Sequence, residues 1–98
     1  MPFIFTDESD MFFDAILSLK NREECKNFFE DICTIKEIQD LQQRLTVAKM
    51  LSEGSVYSEI TEKTGASAAT ISRVNKCLTY GSNGYGTVLE RIKKDEGK

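Results

Sequence analysis

Tyr57–Leu78 reads YSEITEKTGASAATISRVNKCL, and this stretch decides the fold: two short helices meeting at a glycine turn. The first runs from Tyr57 to Thr64. Gly65 supplies the positive φ that a tight interhelical turn requires and that a β-carbon would penalise. Ala66 is small enough to sit where the two helices almost touch. Ser67 is a good N-cap, its hydroxyl accepting from an amide one turn into the second helix. Ile60, Ile71, Val74 and Leu78 are spaced to face one another across the crossing. Ala68, Ala69, Ser72, Arg73 and Lys76 are left on the outer surface, small at the tip and basic further along. Such a surface suits a helix entering a DNA major groove tip first. A plain αα-hairpin would share the glycine. The conjunction of turn Gly, small neighbour, capping Ser, buried β-branched residues and an acid-free second helix points instead to a helix-turn-helix over residues 56–79.

Outward from this motif the chain reads as helix throughout, with no convincing two-residue alternation. Asp7 to Leu19 forms a first helix whose Met11, Phe12, Phe13, Ala15, Ile16, Leu17 and Leu19 cover more than one face. A helix apolar over so wide an arc needs partners on two sides, and in a chain this short a second copy is a natural source. Asn21 with Glu24 opens a second helix whose buried stripe is Cys25, Phe28, Phe29 and Ile32. Thr34 and Glu37 form a capping box, so a third helix starts near Ile35. It runs through Ile38, Leu41, Leu45, Ala48 and Leu51 and stops at Gly54. Val56 stands where a capping Ser or Thr is expected. Unless Ser55 takes over, that helix start forgoes about 1 kcal/mol of capping. Gly81–Gly84 reads as a flexible connection, residues 85–94 as the last helix, Asp95–Lys98 as a disordered tail and Pro2 as part of a frayed start. Residues 1–98 make one domain, with residues 1–53 mainly devoted to dimerisation.

Ninety-eight residues bury little area in a monomer, so the isolated chain is only marginally stable. No apolar run approaches the roughly 20 residues of a membrane span, and no signal peptide opens the chain, which places it in the cytoplasm and off the membrane. Cys25, Cys33 and Cys77 are an odd, scattered set, and the chain has 0 His. Buried reduced thiols are expected, with neither disulfide nor metal site. The net charge of −3 argues against a polyanionic partner until its distribution is considered. Residues 1–40 carry ten acids and four bases, whereas residues 41–98 carry six acids and nine bases. Between Gly65 and Leu89 the only charged residues are Arg73 and Lys76. Phosphate binding answers to this local field, not to the whole-chain sum.

Two blocks carry a family resemblance: FFEDICTIKEIQDLQQRL at Phe28–Leu45 and TGASAATISRVNKCL at Thr64–Leu78. With the intervening sequence they resemble the YerC/YecD branch of the tryptophan-repressor superfamily, over nearly everything from Met11 to Ile92. The resemblance implies an all-α, intertwined homodimer that binds double-stranded DNA. It also implies groove contacts at Ala68, Ala69 and Ser72, where small side chains permit close approach and can meet thymine methyls or base edges. Ser67 begins that surface. Tyr57, Ser58 and Lys76 are better placed for phosphate, with Arg73 beside them. Helix propensity alone would explain Ala68 and Ala69, and packing would explain Tyr57.

In the tryptophan repressor the corepressor lies between the recognition helix and the helix that corresponds to the third one here. Arg44 resembles the carboxylate-binding arginine, and Thr70 and Arg73 resemble pocket-lining residues. Val74, however, stands where the repressor has glycine, and Cys77 replaces a serine that helps to hold the ligand's amino group. A small-molecule corepressor is therefore not expected, and Arg44 and Arg73 read as bases for phosphate or ion pairs.

No catalytic set can be assembled: there is no histidine, no paired carboxylate at a cleft and no phosphate-cradling loop. Cys77 beside Lys76 could be activated, but on this helix it is expected to be packed. The sequence thus points to a non-enzymatic DNA-binding regulator, a repressor, without cofactors. The alternatives are a helical protein-interaction module that uses the same motif, or a repressor gated by an amino-acid-like ligand.

Overall fold

The computed structural model describes residues 4–96, and among these there are six helices and no strand. They are α1 (Asp7–Leu17), α2 (Arg22–Ile32), α3 (Ile35–Ser52), α4 (Tyr57–Thr64), α5 (Ala68–Tyr80) and α6 (Gly84–Glu96). The chain divides into two compact units, with the boundary inside α3 between Ile38 and Gln39. Pro2, Gly97 and Lys98, read above as frayed or disordered, lie outside the described residues.

In the first unit, helix starts are fixed by reciprocal side-chain bonds. The Ser9 amide donates to Thr6 Oγ1 at 3.2 Å and the Thr6 amide donates to Ser9 Oγ at 3.3 Å, a capping box built on serine. Asn21 Oδ1 accepts the Glu24 amide at 2.9 Å, and Glu24 Oε1 accepts the Lys20 amide at 2.9 Å. Thr34 and Glu37 form the box expected of them, at 3.1 and 2.8 Å. Helix α1 stops at Leu17, two residues short of the expected end. There the Ser18 hydroxyl takes the Ala15 carbonyl at 2.6 Å, and the Ser18 and Leu19 amides tighten onto Ala15 and Ile16 at 3.2 and 3.1 Å.

No residue of α1 or α2 is buried. Met11, Phe12, Phe13 and Leu17 are exposed on α1, Leu17 by 81%. The expected buried stripe of α2 is at best half-buried: Cys25, Phe28 and Phe29 are partly covered, and Ile32 is half-exposed. Neighbouring rings cover one another instead, with Phe28 and Phe29 edge to face at 5.5 Å and Phe13 tilted against Phe5 and Phe12 at 5.8 Å each.

The second unit closes a core. Val47 and Ala48 of α3, Ile60 of α4, Ala66 of the turn, and Ile71 and Val74 of α5 are all buried. Met50, Leu51, Leu78, Tyr85 and Leu89 pack around them. Of the α3 residues expected along the helix, Ala48 is buried and Leu51 packs on the core, while Leu41 is half-exposed and Val47, not among them, is fully buried. The core selects the side of α3 that meets α4 and α5, and a simple apolar count along the helix cannot see that choice. The connection expected to be flexible is a three-residue turn. It is closed by the Gly81 amide on the Cys77 carbonyl at 2.9 Å and by Asn83 at φ 63°, whose carbonyl takes the Thr87 amide at 3.1 Å. Helix α6 begins one residue earlier than expected and takes in Asp95 and Glu96, assigned above to a tail.

Candidate functional site

The turn between α4 and α5 is built as its sequence demands. Gly65 adopts φ 75°, ψ 5°, and its amide caps the end of α4 on the Thr61 carbonyl at 2.9 Å. Ala66 follows, buried to 1% where a larger side chain would force the helices apart. Thr64 works on both sides: its hydroxyl donates to the Ile60 carbonyl at 2.7 Å and accepts the Ala66 amide at 3.1 Å. Gln43 then anchors the corner to α3, its Nε2 donating to the Thr64 carbonyl at 3.0 Å. This last bond spans 21 positions, and the sequence pattern gave no sign of it.

Ser67 caps α5 as expected, its Oγ accepting the Thr70 amide at 3.2 Å. Val56 precedes α4 with no side-chain cap, and the Ser55 amide before it bonds back to the Met50 carbonyl at the end of α3, at 3.0 Å. Tyr57 and Ser58 therefore open a helix held at its start only by main-chain bonds, the Ile60 amide on the Val56 carbonyl at 3.2 Å among them. Its orientation comes from the buried Ile60 side chain.

Tyr57, Ser58, Ser67, Ala68, Ala69, Ser72, Arg73 and Lys76 are all exposed, while Ile71 and Val74 between them point into the core. The alternation leaves one continuous outer face on α5, with no acid in its first turn. Small side chains sit at its tip, where four amides of any helix lack intrahelical partners, and positive charge follows one to two turns later.

Arg44, Thr70 and Arg73 are brought together along a flank of α5 that adjoins this face at Arg73, around a cavity of about 280 Å³ that Val74, Cys77 and Tyr85 also line. Tyr85 is the member that sequence reasoning missed. Its only signal was an aromatic residue between two glycines, Gly84 and Gly86, and the contact is made across the chain rather than along it. Burial pushes the Tyr85 phenol above its ordinary value; nearby Cys77 adds to that rise and Arg44 opposes it. Cys77 is exposed, not packed, and Cys25 and Cys33 are half-buried, so the expectation of buried thiols fails at all three. Cys77 lies on the flank of α5, where the core stripe has already passed to Val74 and Leu78. Among the described residues, no group of three or more His, Cys, Asp or Glu could hold a metal ion, and no helix is long and apolar enough to cross a membrane.

Three comparisons bear on this arrangement. A family profile described as Trp repressor protein matches residues 7–93. The uncharacterized Bacillus subtilis protein YerC is 57% identical over 89 residues, covering 91% of this chain and 86% of the relative. A crystal structure of a TrpR-like protein from Eubacterium eligens superposes with a TM-score of 0.88 at 57% identity, over 90% of this chain and 91% of the other. A crystal structure from Staphylococcus aureus gives the same TM-score at 50% identity, over 91% and 89% of the two chains.

Proposed function

The chain belongs to the Trp repressor family, and from that premise we propose that it is a sequence-specific DNA-binding transcriptional regulator, a repressor acting as a cytoplasmic homodimer. The observation that carries this reading is the exposed, acid-free outer face of α5 on a rigid turn. In this reading Ala68, Ala69 and Ser72 approach base edges in the major groove of double-stranded DNA, with Ser67 at the tip. Tyr57, Ser58, Arg73 and Lys76 meet phosphates, which fix register without reading sequence. The exposed Met11, Phe12, Phe13 and Leu17 of α1 support a second copy as the partner that covers them.

Free tryptophan is not required in this proposal. Val74 is already buried to 2% in the core, so its side chain is not available to make room for an indole, and Cys77 offers a thiol in place of a hydroxyl. Arg44, Thr70 and Arg73 then serve structure or phosphate. Calorimetric titration with L-tryptophan, with and without duplex, checks this: no heat and no change in DNA affinity are expected. Saturable binding that tightens DNA affinity would make those three residues ligand contacts.

The direct experiment is selection of bound sequences from random duplex DNA, followed by affinity measurements across salt. A dimer presenting two bases per recognition helix should show a slope of log K against log salt on the order of −3 to −6. Arg73→Ala and Lys76→Ala should weaken all duplexes and flatten that slope. An unenriched pool, or unchanged affinity in both variants, would leave the α5 face without its assigned role.

A further inference from the structure

Two cavities of the second unit share a wall. One, of about 280 Å³, lies beside Arg44, Thr70 and Arg73. The other, of about 570 Å³, lies beside Leu45 and Val88, and Cys77 and Tyr85 are the residues common to both. Cys77 belongs to α5 itself, so the one shared side chain that comes from outside α5 is Tyr85, in the first turn of α6. Tyr85 also packs against the buried cluster that holds Ile71 and Val74. Its side chain thus lies against two spaces whose other walls include Arg44 and Leu45 of α3 and Cys77 of α5.

We propose that Tyr85 is the positioning residue for the DNA-reading helix, holding α5 against α3 from within the chain. The inference rests on the reading of α5 given above. The turn at residues 81–83 is short: α5 ends with the Gly81 amide on the Cys77 carbonyl, and α6 begins with the Thr87 amide on the Asn83 carbonyl. Three residues of chain thus separate the helix that carries the ring from the helix it packs against. The hydroxyl contributes little to this role. What matters is the flat ring that lines both spaces and packs against the core, and phenylalanine supplies the same ring.

The test compares Tyr85→Phe, Tyr85→Ala and Leu89→Ala. Leu89 comes from the same helix and packs on the same core, but it lines neither shared cavity. Each full-length variant is assayed for melting, for affinity toward the selected duplex, and for amide hydrogen exchange by segment. Tyr85→Phe should bind within about twofold of the native chain. Tyr85→Ala should lose about tenfold or more, as expected when the docked orientation of α5 is populated about one time in ten. Exchange in Tyr85→Ala should quicken in α5 while α3 stays protected. Leu89→Ala should lower the melting temperature at least as much, with duplex affinity nearly unchanged. Affinity that follows melting temperature in the same way for Tyr85→Ala and Leu89→Ala, or uniform exchange across α3 to α6, would overturn the assignment. If the native chain binds no duplex, the functional proposal falls instead, and the segment-resolved exchange still decides the role of Tyr85.

Discussion

Residues 4–38 and residues 39–96 solve opposite halves of the folding problem. In the first stretch the starts of α1, α2 and α3 are capped by side chains, three of those bonds at 2.8–2.9 Å, yet not one residue of α1 or α2 is buried. In the second, α4 starts with no side-chain cap at all, yet Ile60, Ile71 and Val47 are completely enclosed. Caps determine where a helix begins; burial determines what it rests against. A region rich in the first and lacking the second is folded locally but unfinished, and its aromatic side chains are the surface on which a further chain can complete it.

The strongest way to break this contrast is to hollow out the closed half. Ile71→Ala should cost about 2–5 kcal/mol, because the enclosed site cannot collapse around the missing methylenes. For a domain of 98 residues that is a large share of its stability, and a denaturant melt should show a greatly lowered midpoint. A similar loss from Phe12→Ala on the exposed α1 of a dilute monomer would mean that the two halves are not different in kind.

The open half is tested through assembly. Phe13→Ser removes a half-exposed ring that a second copy is proposed to cover, and should weaken association by roughly 1.5–3 kcal/mol per subunit. The native chain should melt at a temperature that rises with protein concentration, and the variant should lose that dependence at micromolar concentration. Concentration-independent melting of the native chain would show that α1 is exposed in solution as well.

Capping sharpens the contrast on a smaller scale. Val56→Ser should gain about 0.5–1 kcal/mol by giving α4 the side-chain acceptor it lacks, while Thr34→Ala should lose about 1 kcal/mol at the start of α3. Val56 is more than half exposed, so little burial is sacrificed. Thermal melts that place both changes at zero would imply that main-chain bonds and packing already hold both helix starts.

The smallest effect is alkaline. Burial holds the Tyr85 phenol protonated above its ordinary 10.0, so the native state keeps that proton more tightly than the unfolded chain. The corresponding stability is complete below about pH 10 and is lost as pH rises through the raised native value. Tyr85→Phe should remove this component, leaving a shallower decline in melting temperature between neutral and strongly alkaline pH. Identical profiles would mean that the phenol is as well hydrated in the folded chain as in the unfolded one.

What the sequence disclosed follows the same division. Gly65, Ala66, Ser67, Asn21 with Glu24 and Thr34 with Glu37 were legible because each acts within a few positions of itself. The family profile and the close structural relatives agree with the all-helical fold that they implied. The box at Thr6 was hidden because Ser9 fills the place where Glu or Gln is usual. Val47, the bond from Gln43 to Thr64, and Tyr85 were hidden for a different reason: each depends on which helices meet, and no local spacing records that. The outer face of α5 could be read because it is defined by what the core leaves out. Five of the six side chains that line the cavity beside it came from the family resemblance; the sixth, Tyr85, did not, because α6 supplies that wall from beyond a turn.

The cap that joins Thr34 and Glu37 spans three residues, and those at Thr6 and Asn21 are equally short. Loops this small close within well under a microsecond, and helices elongate in nanoseconds per residue. The helices of residues 4–38 can therefore form and re-form many times before two chains diffuse into contact. For a homodimer completed through α1, the slow event is then the collision of chains whose helices are forming and re-forming. Assembly should be second order in protein, and its speed is set by how much is made, not by how fast each chain folds.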